Sequence, residues 1–211
     1  MHNRTAMGYT LILIGVVCTI VGIVIIKKAN TAHLPDFDSI REVPSSPTNS
    51  SKSKDEIFEE NKKKGDDFEA FVVKSFPKKY YQLQEWRGDK YVDGNYPVSS
   101  HFPDLEVNFK LNDHKDTFAI ECKWRSRFYK DGIKWAEGYQ IENYKKYSVA
   151  TKLPVYVVIG VDGTPSKPKH MYVIPLSKLS NSFISKDELN PYEKDVKADF
   201  YWSYKEKKLL P

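Results

Sequence analysis

The longest uncharged stretch of the chain runs from residue 6 to residue 26, and from Tyr9 onward it is mostly aliphatic. A helix of this length, at about 1.5 Å per residue, spans about 30 Å of hydrocarbon. Because a backbone inside lipid must satisfy its own hydrogen bonds, even a run rich in β-branched residues is expected to be helical there. The pattern therefore predicts one transmembrane helix, with residues 1–26 as an N-terminal membrane anchor.

A cleaved signal peptide is the alternative interpretation of this run. The run exceeds the usual apolar core of a signal peptide, and Lys27 and Lys28 follow it where a cleavage site would need small residues. Both features favour a retained anchor. Since Arg4 precedes the run while most nearby basic residues follow it, the positive-inside tendency places the C-terminal side in the cytoplasm.

Residues 27–54 are rich in Ser, Pro and Lys and contain little to bury, so they are predicted to form a tether. Ser53 and Glu56 then match a capping box, which indicates the start of a helix. We expect residues 55–211 to form one compact soluble domain.

Within this domain the apolar positions predict a helix, three strands, a second helix and two more strands. The first helix has apolar residues at helical spacing and ends at Pro77. The strands are predicted at 80–86, 104–111, 117–124, 154–160 and 171–174, and the second helix at 136–150. Residues 112–116 are the expected turn of an antiparallel hairpin. The run at 154–160 is typical of a strand buried on both faces, so the order predicts an α/β sandwich around a mixed sheet.

Composition narrows the functional classes. Apolar residues make up 40% of the chain, which supports a packed core and excludes general disorder. The net charge of +5 permits a polyanionic partner but does not require one. The two cysteines, Cys18 and Cys122, exclude a disulfide scaffold and a Cys-rich zinc site, and the five histidines have no ligand-like spacing.

Candidate chemistry lies on the predicted hairpin. Alternation along the strand places Glu121 and Lys123 on one face and Cys122 on the opposite, apolar face. Asp104 begins the antiparallel neighbour, so its carboxylate can approach that of Glu121. Two carboxylates with open water positions suit Mg²⁺, and an adjacent ammonium can stabilise a phosphate oxyanion. Phosphodiester hydrolysis needs these groups, although a hairpin with ordinary surface charges is the alternative.

The spacing of Pro103-Asp104 and Glu121-Cys122-Lys123 resembles the signature of the PD-(D/E)XK nuclease superfamily, which has the restriction-endonuclease-like fold. The predicted element order, αβββαβ, is also the order of that family. The resemblance covers roughly residues 60–176. It implies a three-layer sandwich around a mixed sheet, here preceded by the predicted transmembrane helix.

Two helical residues extend this resemblance. Glu69 resembles the glutamate of the first-helix motif in many members, and Gln140 resembles a glutamine of the Mrr-like and resolvase-like branches. By resemblance, Asp104 and Glu121 would bind Mg²⁺, with Mn²⁺ as a substitute, while Lys123 would position or activate the attacking water. Glu69 would complete the site and Gln140 would orient Lys123 or a phosphate oxygen. The alternative for both helical residues is an ordinary solvated position.

Basic and aromatic residues follow the hairpin motif, as expected of a surface that contacts phosphates and bases. The candidate nucleic-acid-binding residues are Lys123, Arg125, Arg127, Lys130 and Lys134. A charged loop whose aromatic residues pack locally is the alternative.

The sequence thus predicts a membrane-anchored, Mg²⁺-dependent endonuclease with DNA as its expected substrate. A homodimer is expected if both strands of a duplex are cut. Two other functions stay open: a catalytically inactive nuclease-fold module that binds nucleic acid or protein at the membrane, and a tethered adaptor without nucleic acid.

Overall fold

The computed structural model of the chain describes residues 52–87 and 101–211. The predicted anchor and nearly all of the predicted tether lie outside the described residues, so the division into anchor, tether and nuclease-like domain stays a prediction. Among the described helices, none is both long enough and apolar enough to cross a membrane.

Helix α1 spans Lys54–Lys74 and begins at the predicted capping box. The Glu56 amide donates to Ser53 Oγ, and the Ser53 amide donates to the Glu56 carboxylate. The helix ends three residues before Pro77, where Ser75 caps it. Only Phe68 and Val72 of α1 are buried, so residues 54–67 bury no side chain.

The strands among the described residues are β1 Tyr81–Trp86, β2 Leu105–Leu111, β3 His114–Arg125, β4 Gly132–Lys134, β5 Val155–Thr164, β6 Lys167–Pro175, β7 Phe183–Ser185, β8 Glu193–Lys194, β9 Tyr201–Ser203 and β10 Lys208–Leu210. Six of them form one sheet in the order β1-β2-β3-β5-β6-β8. Strands β3 and β5 are parallel, and the other neighbours in this sheet are antiparallel. The predicted mixed sheet is therefore confirmed.

Helix α2, Gly138–Thr151, connects the two parallel strands, and a short helix α3 covers Lys186–Leu189. Two buried clusters lie on opposite faces of the sheet, so the domain has three layers. Residues of α1 pack with Phe118 in one cluster, and residues of α2 pack with Val157 in the other. Strand β5 is buried from Val155 to Val161, as its unbroken apolar run predicts.

The hairpin turn differs from its prediction. The expected turn over 112–116 is wrong, because β3 already begins at His114 and pairs it with Leu111. Only Asn112 and Asp113 make the turn. Asn112 adopts a φ of 51°, a left-handed conformation that asparagine tolerates and that allows a two-residue connection.

Two aromatic residues near the C-terminus, Phe200 and Trp202, belong to the core. Strands β9 and β10 form a separate hairpin, which places Phe200 and Trp202 in the same cluster as Phe118. The Trp202 ring stacks on the Phe118 ring at a centroid distance of 4.7 Å. The last residues of the chain therefore cover the α1 side of the sheet.

Helix α1 is fastened to the sheet at Gly160 of β5. A Cβ atom at this position would clash with the ring of Phe68, a fully buried residue of α1. Because Gly160 has no side chain, the Phe68 ring can occupy the space next to its Cα atom.

We expect Gly160→Ala to lower the free energy of unfolding by about 1–3 kcal/mol, because the added methyl group must displace the Phe68 ring. Urea denaturation measures this difference. Gly138→Ala is the control: a Cβ there meets no atom within 4 Å, so stability is expected to stay equal or rise by up to about 1 kcal/mol. Equal stability of both variants would contradict the described packing of α1.

Candidate active site

The start of β2 and the end of β3 bring the predicted acidic residues together. The antiparallel register pairs Leu105 with Ile120, so Asp104 lies beside the residues that follow Ile120. The Cys122 amide donates a hydrogen bond of 2.7 Å to Asp104 Oδ2. This bond fixes the Asp104 carboxylate at the strand end that carries Glu121 and Lys123.

The Glu121 carboxylate is buried and bound on one side only. Glu121 as a whole is only 1% exposed. Oε1 accepts a hydrogen bond of 2.6 Å from the Tyr144 hydroxyl of α2 and forms an ion pair with Lys123 Nζ. Within the described part of the chain, no donor reaches Oε2. A buried carboxylate oxygen without a donor is costly, which makes Oε2 a ready ligand for a cation.

Asp104 is electrostatically coupled to this group. Burial raises the pKa of Asp104 well above its usual range, and the neighbouring Glu121 carboxylate raises it further, with a smaller contribution from Glu69. The Lys123 ammonium and the Cys122 amide act in the opposite direction without compensating fully. Burial together with the Glu121 charge therefore opposes ionisation of Asp104 more than Lys123 and the Cys122 amide favour it.

Lys123 is held as an ammonium. Burial by itself would lower the pKa of Lys123, but the charges of Glu121 and Asp104 outweigh that effect and raise it above the ordinary value. The strand neighbour Cys122 lies in the apolar core, as alternation predicts, and burial raises the pKa of its thiol. A thiol of this kind is no nucleophile at neutral pH.

A cleft of about 520 Å³ is lined by Asp104, Cys122 and Lys123 of this group, whereas Glu121 lies buried beneath it. Asp104, Lys123 and Arg125 lie on one side of it, and α1 contributes residues from Phe58 to Glu69 on the other. Glu69 accepts a hydrogen bond of 2.8 Å from the Trp86 indole. Glu69 thus lines the same cleft as Asp104 and Lys123, and its role there stays a prediction.

Gln140 lies elsewhere. Its amide oxygen accepts a hydrogen bond of 2.9 Å from the Glu137 amide, so it caps the start of α2. Gln140 lines a neighbouring depression of about 370 Å³ together with Arg125 and Arg127. The structure therefore does not bring Gln140 into the cleft that holds Lys123, and its assigned role stays a prediction.

The predicted nucleic-acid-binding residues differ in what they contact. Arg125 donates to the backbone carbonyls of Trp124, Lys134 and Trp135, and Lys134 forms an ion pair of 2.6 Å with Glu137. Arg127 and Lys130 are exposed. Their binding of nucleic acid stays a prediction.

A second polar network, centred on Arg87, contacts the backbone next to Asp104. Arg87 pairs with Glu106 and donates to the carbonyl of Pro103, while its own amide donates to the carbonyl of Asp104. The Tyr147 hydroxyl donates to Glu106 at 2.5 Å. Although burial opposes it, the bonds from Tyr147 and Arg87 hold the pKa of Glu106 below its usual value. The network fixes the backbone that carries Asp104.

Sequence reasoning missed Tyr144, Tyr147 and Arg87. The available signal is the spacing of the two tyrosines, which lie three residues apart on α2 and therefore share a helix face. Each donates to a carboxylate of the hairpin. A helix that presents hydroxyl groups to a sheet bearing buried carboxylates is a recognisable pattern only once the two are known to pack together.

The donor set fits a hard divalent cation bound by few protein ligands. The Asp104 and Glu121 carboxyl groups lie beside one ammonium, so with both ionised the site would carry an excess negative charge that a divalent cation could balance. Mg²⁺ commonly uses one or two carboxylates and keeps several waters. Among residues 52–87 and 101–211, no group of three or more His, Cys, Asp and Glu side chains is arranged to hold a metal ion.

No protein-family model matches the chain, and no curated protein matches it. Among solved structures, the chain is similar to Hjc, a Holliday junction resolvase from the archaeal hyperthermophile Archaeoglobus fulgidus. The sequence identity is 15%, the alignment covers 60% of this chain and 92% of that chain, and the TM-score is 0.43. At these values the similarity does not extend to the substrate or to individual residues of this chain.

We expect Tyr144→Phe to weaken binding of Mg²⁺ or Mn²⁺ by about 10-fold or more, because the Glu121 carboxylate loses the hydroxyl that orients it. Isothermal titration calorimetry measures the dissociation constant directly. Tyr147→Phe is the matched control, since it removes the corresponding hydroxyl from the same helix but the bond lost is to Glu106. Unchanged affinity in Tyr144→Phe would show that Tyr144 does not position the metal ligand.

Proposed function

We propose that residues 52–211 form a metal-dependent nuclease of the PD-(D/E)XK type that hydrolyses phosphodiester bonds in nucleic acid, with DNA as the expected substrate. One observation carries the proposal: the buried Glu121 carboxylate keeps Oε2 without a donor, next to a second carboxylate that it repels. A purely structural site would gain stability by supplying that donor or by removing one charge.

Asp104 and Glu121 would hold the divalent cation, proposed as Mg²⁺ with Mn²⁺ as substitute. When bound, such an ion shields the charge of the phosphate, orients it and lowers the pKa of water. Tyr144 fixes the orientation of Glu121, and the Cys122 amide fixes that of Asp104. The site is thereby ordered before the substrate arrives, which limits the entropy cost of assembling it.

The other residues of the cleft have roles that follow from their positions. The Lys123 ammonium can hydrogen-bond a phosphate oxygen or the attacking water, since it lines the cleft and stays protonated. Glu69 lies on the α1 side, where it can accept a hydrogen bond from a water in the cleft. Exposed Arg127 and Lys130 are available to backbone phosphates beyond the cleft.

The proposed location is the membrane, with the nuclease domain on the cytoplasmic side. Support comes only from the uncharged run at 6–26 and from the basic residues after it. Homodimer formation is proposed for cleavage of both strands of a duplex.

A C-terminal fusion to a reporter that is active only in the cytoplasm is expected to show activity in the membrane fraction, because the positive-inside tendency retains the basic side. A matching reporter that works only outside the cytoplasm is the control. Activity of that control alone would overturn the proposed orientation, and recovery of the intact chain from the soluble fraction would overturn the anchor.

With plasmid DNA and Mg²⁺ or Mn²⁺, the wild-type protein is expected to cleave, and Glu121→Gln or Lys123→Ala to reduce the rate by about 100-fold or more. Glu142→Gln is the matched control, because Glu142 is an exposed carboxylate on α2 outside the cleft. Thermal unfolding checks that the variants fold. Metal-dependent cleavage that survives Glu121→Gln would discard the site, and salt-sensitive binding without cleavage would favour the inactive module.

A further inference from the structure

The N-terminal two thirds of α1, residues 54–67, form a wall of the cleft. None of these residues is fully buried, and two large apolar side chains among them, Ile57 and Phe58, are each 47% exposed. The residues of α1 that line the cleft are Phe58, Asn61, Lys62, Lys64, Gly65, Asp66 and Glu69. Most of them share one helix face, and this face reaches the candidate active site at Glu69.

The charges along this wall change sign. Glu69, whose charge acts on the Asp104 carboxyl group, and Asp66 lie towards the C-terminal end of the wall, whereas Lys62 and Phe58 lie towards the start of the helix. Lys62 forms no ion pair within the described part of the chain. Lys64, the other lysine of the wall, is paired with Glu60 at 2.7 Å. The wall therefore offers an unpaired cation and an exposed ring beyond the acidic end.

In the middle of the wall, Gly65 has no side chain that would extend into the cleft. A Cβ atom at Gly65 would meet no atom within 4 Å, so the backbone of α1 borders open space there. A polymer chain can pass close to the helix at this point on its way from the acidic end to Lys62.

We propose that this wall binds a nucleic-acid strand with unpaired nucleotides next to the scissile phosphate, and that Phe58 stacks on one of its bases. The inference rests on the proposed function and specifies its substrate class. From Glu69 to Phe58 the helix rises about 16 Å, which corresponds to about five stacked nucleotides at about 3.4 Å each. Aromatic stacking on a base face requires that the base be unpaired, so a fully paired duplex would leave Phe58 unused.

Fluorescence anisotropy with the full-length protein tests this inference. The probes are a blunt labelled duplex and the same duplex with a single-stranded extension, in Ca²⁺ to keep the measurement one of binding. Phe58→Ala is expected to weaken binding of the extended probe by about 5- to 150-fold and to leave the blunt probe unchanged, since one stacked base is lost. Phe58→Trp is expected to restore affinity.

Ile57→Ala is the matched control, because Ile57 adjoins Phe58 with the same exposure but does not line the cleft. Lys62→Gln is expected to reduce the salt dependence of binding by about one ion, while Lys63→Gln, outside the cleft and paired with Asp67, does not. Equal losses for Ile57→Ala and Phe58→Ala would overturn the inference, because only Phe58 can stack on a base. Full affinity of Phe58→Ala for the extended probe would overturn it as well.

The binding assay separates this inference from the proposed function. Phe58-dependent binding without any cleavage by the wild-type protein would refute only the nuclease. Cleavage that needs Glu121 but binding that ignores Phe58 would refute only the strand-binding wall.

Discussion

The Glu121 carboxylate is the group around which the candidate site is organised, because its two oxygens have opposite surroundings. Oε1 is held by the Tyr144 hydroxyl and the Lys123 ammonium, and Oε2 has no donor within the described residues. The contacts of Oε1 restrict the rotation of the Glu121 side chain. Oε2 is a desolvated acceptor without a hydrogen bond, which lowers the stability of the folded protein. The charge of Glu121 adds to the effect of burial in raising the pKa of Asp104, and it helps to retain the proton of Lys123.

The sheet makes that arrangement available. In the antiparallel pair of β2 and β3, the start of β2 lies beside the end of β3, so residues distant in sequence meet at one end of the sheet. The parallel pairing of β3 with β5 requires a crossover, and α2 supplies both the connection and the tyrosines. Helix α2 therefore both connects the parallel strands and donates hydrogen bonds to the site, which explains why its buried face carries hydroxyl groups among apolar residues.

Much of this could be predicted from the sequence because its signals are local. Alternation placed Glu121 and Lys123 opposite Cys122, and the unbroken apolar run marked β5 as buried on both faces. Capping chemistry located the start of α1. Contacts between distant segments have no local signal: Tyr144 with Glu121, Arg87 with Pro103, or Trp202 with Phe118. The contact by which Gln140 caps the start of its own helix has no clear signal in the sequence either.

The attachment of α1 has a consequence for how the protein could change during evolution. Two buried side chains secure this helix, and one of them, Phe68, immediately precedes Glu69 in the chain. The distance between the two sides of the cleft therefore depends on how closely the Phe68 ring packs against Gly160 in the core. A family of related chains could retune which polymers fit between those sides through core positions alone, with every acidic and basic group of the site retained.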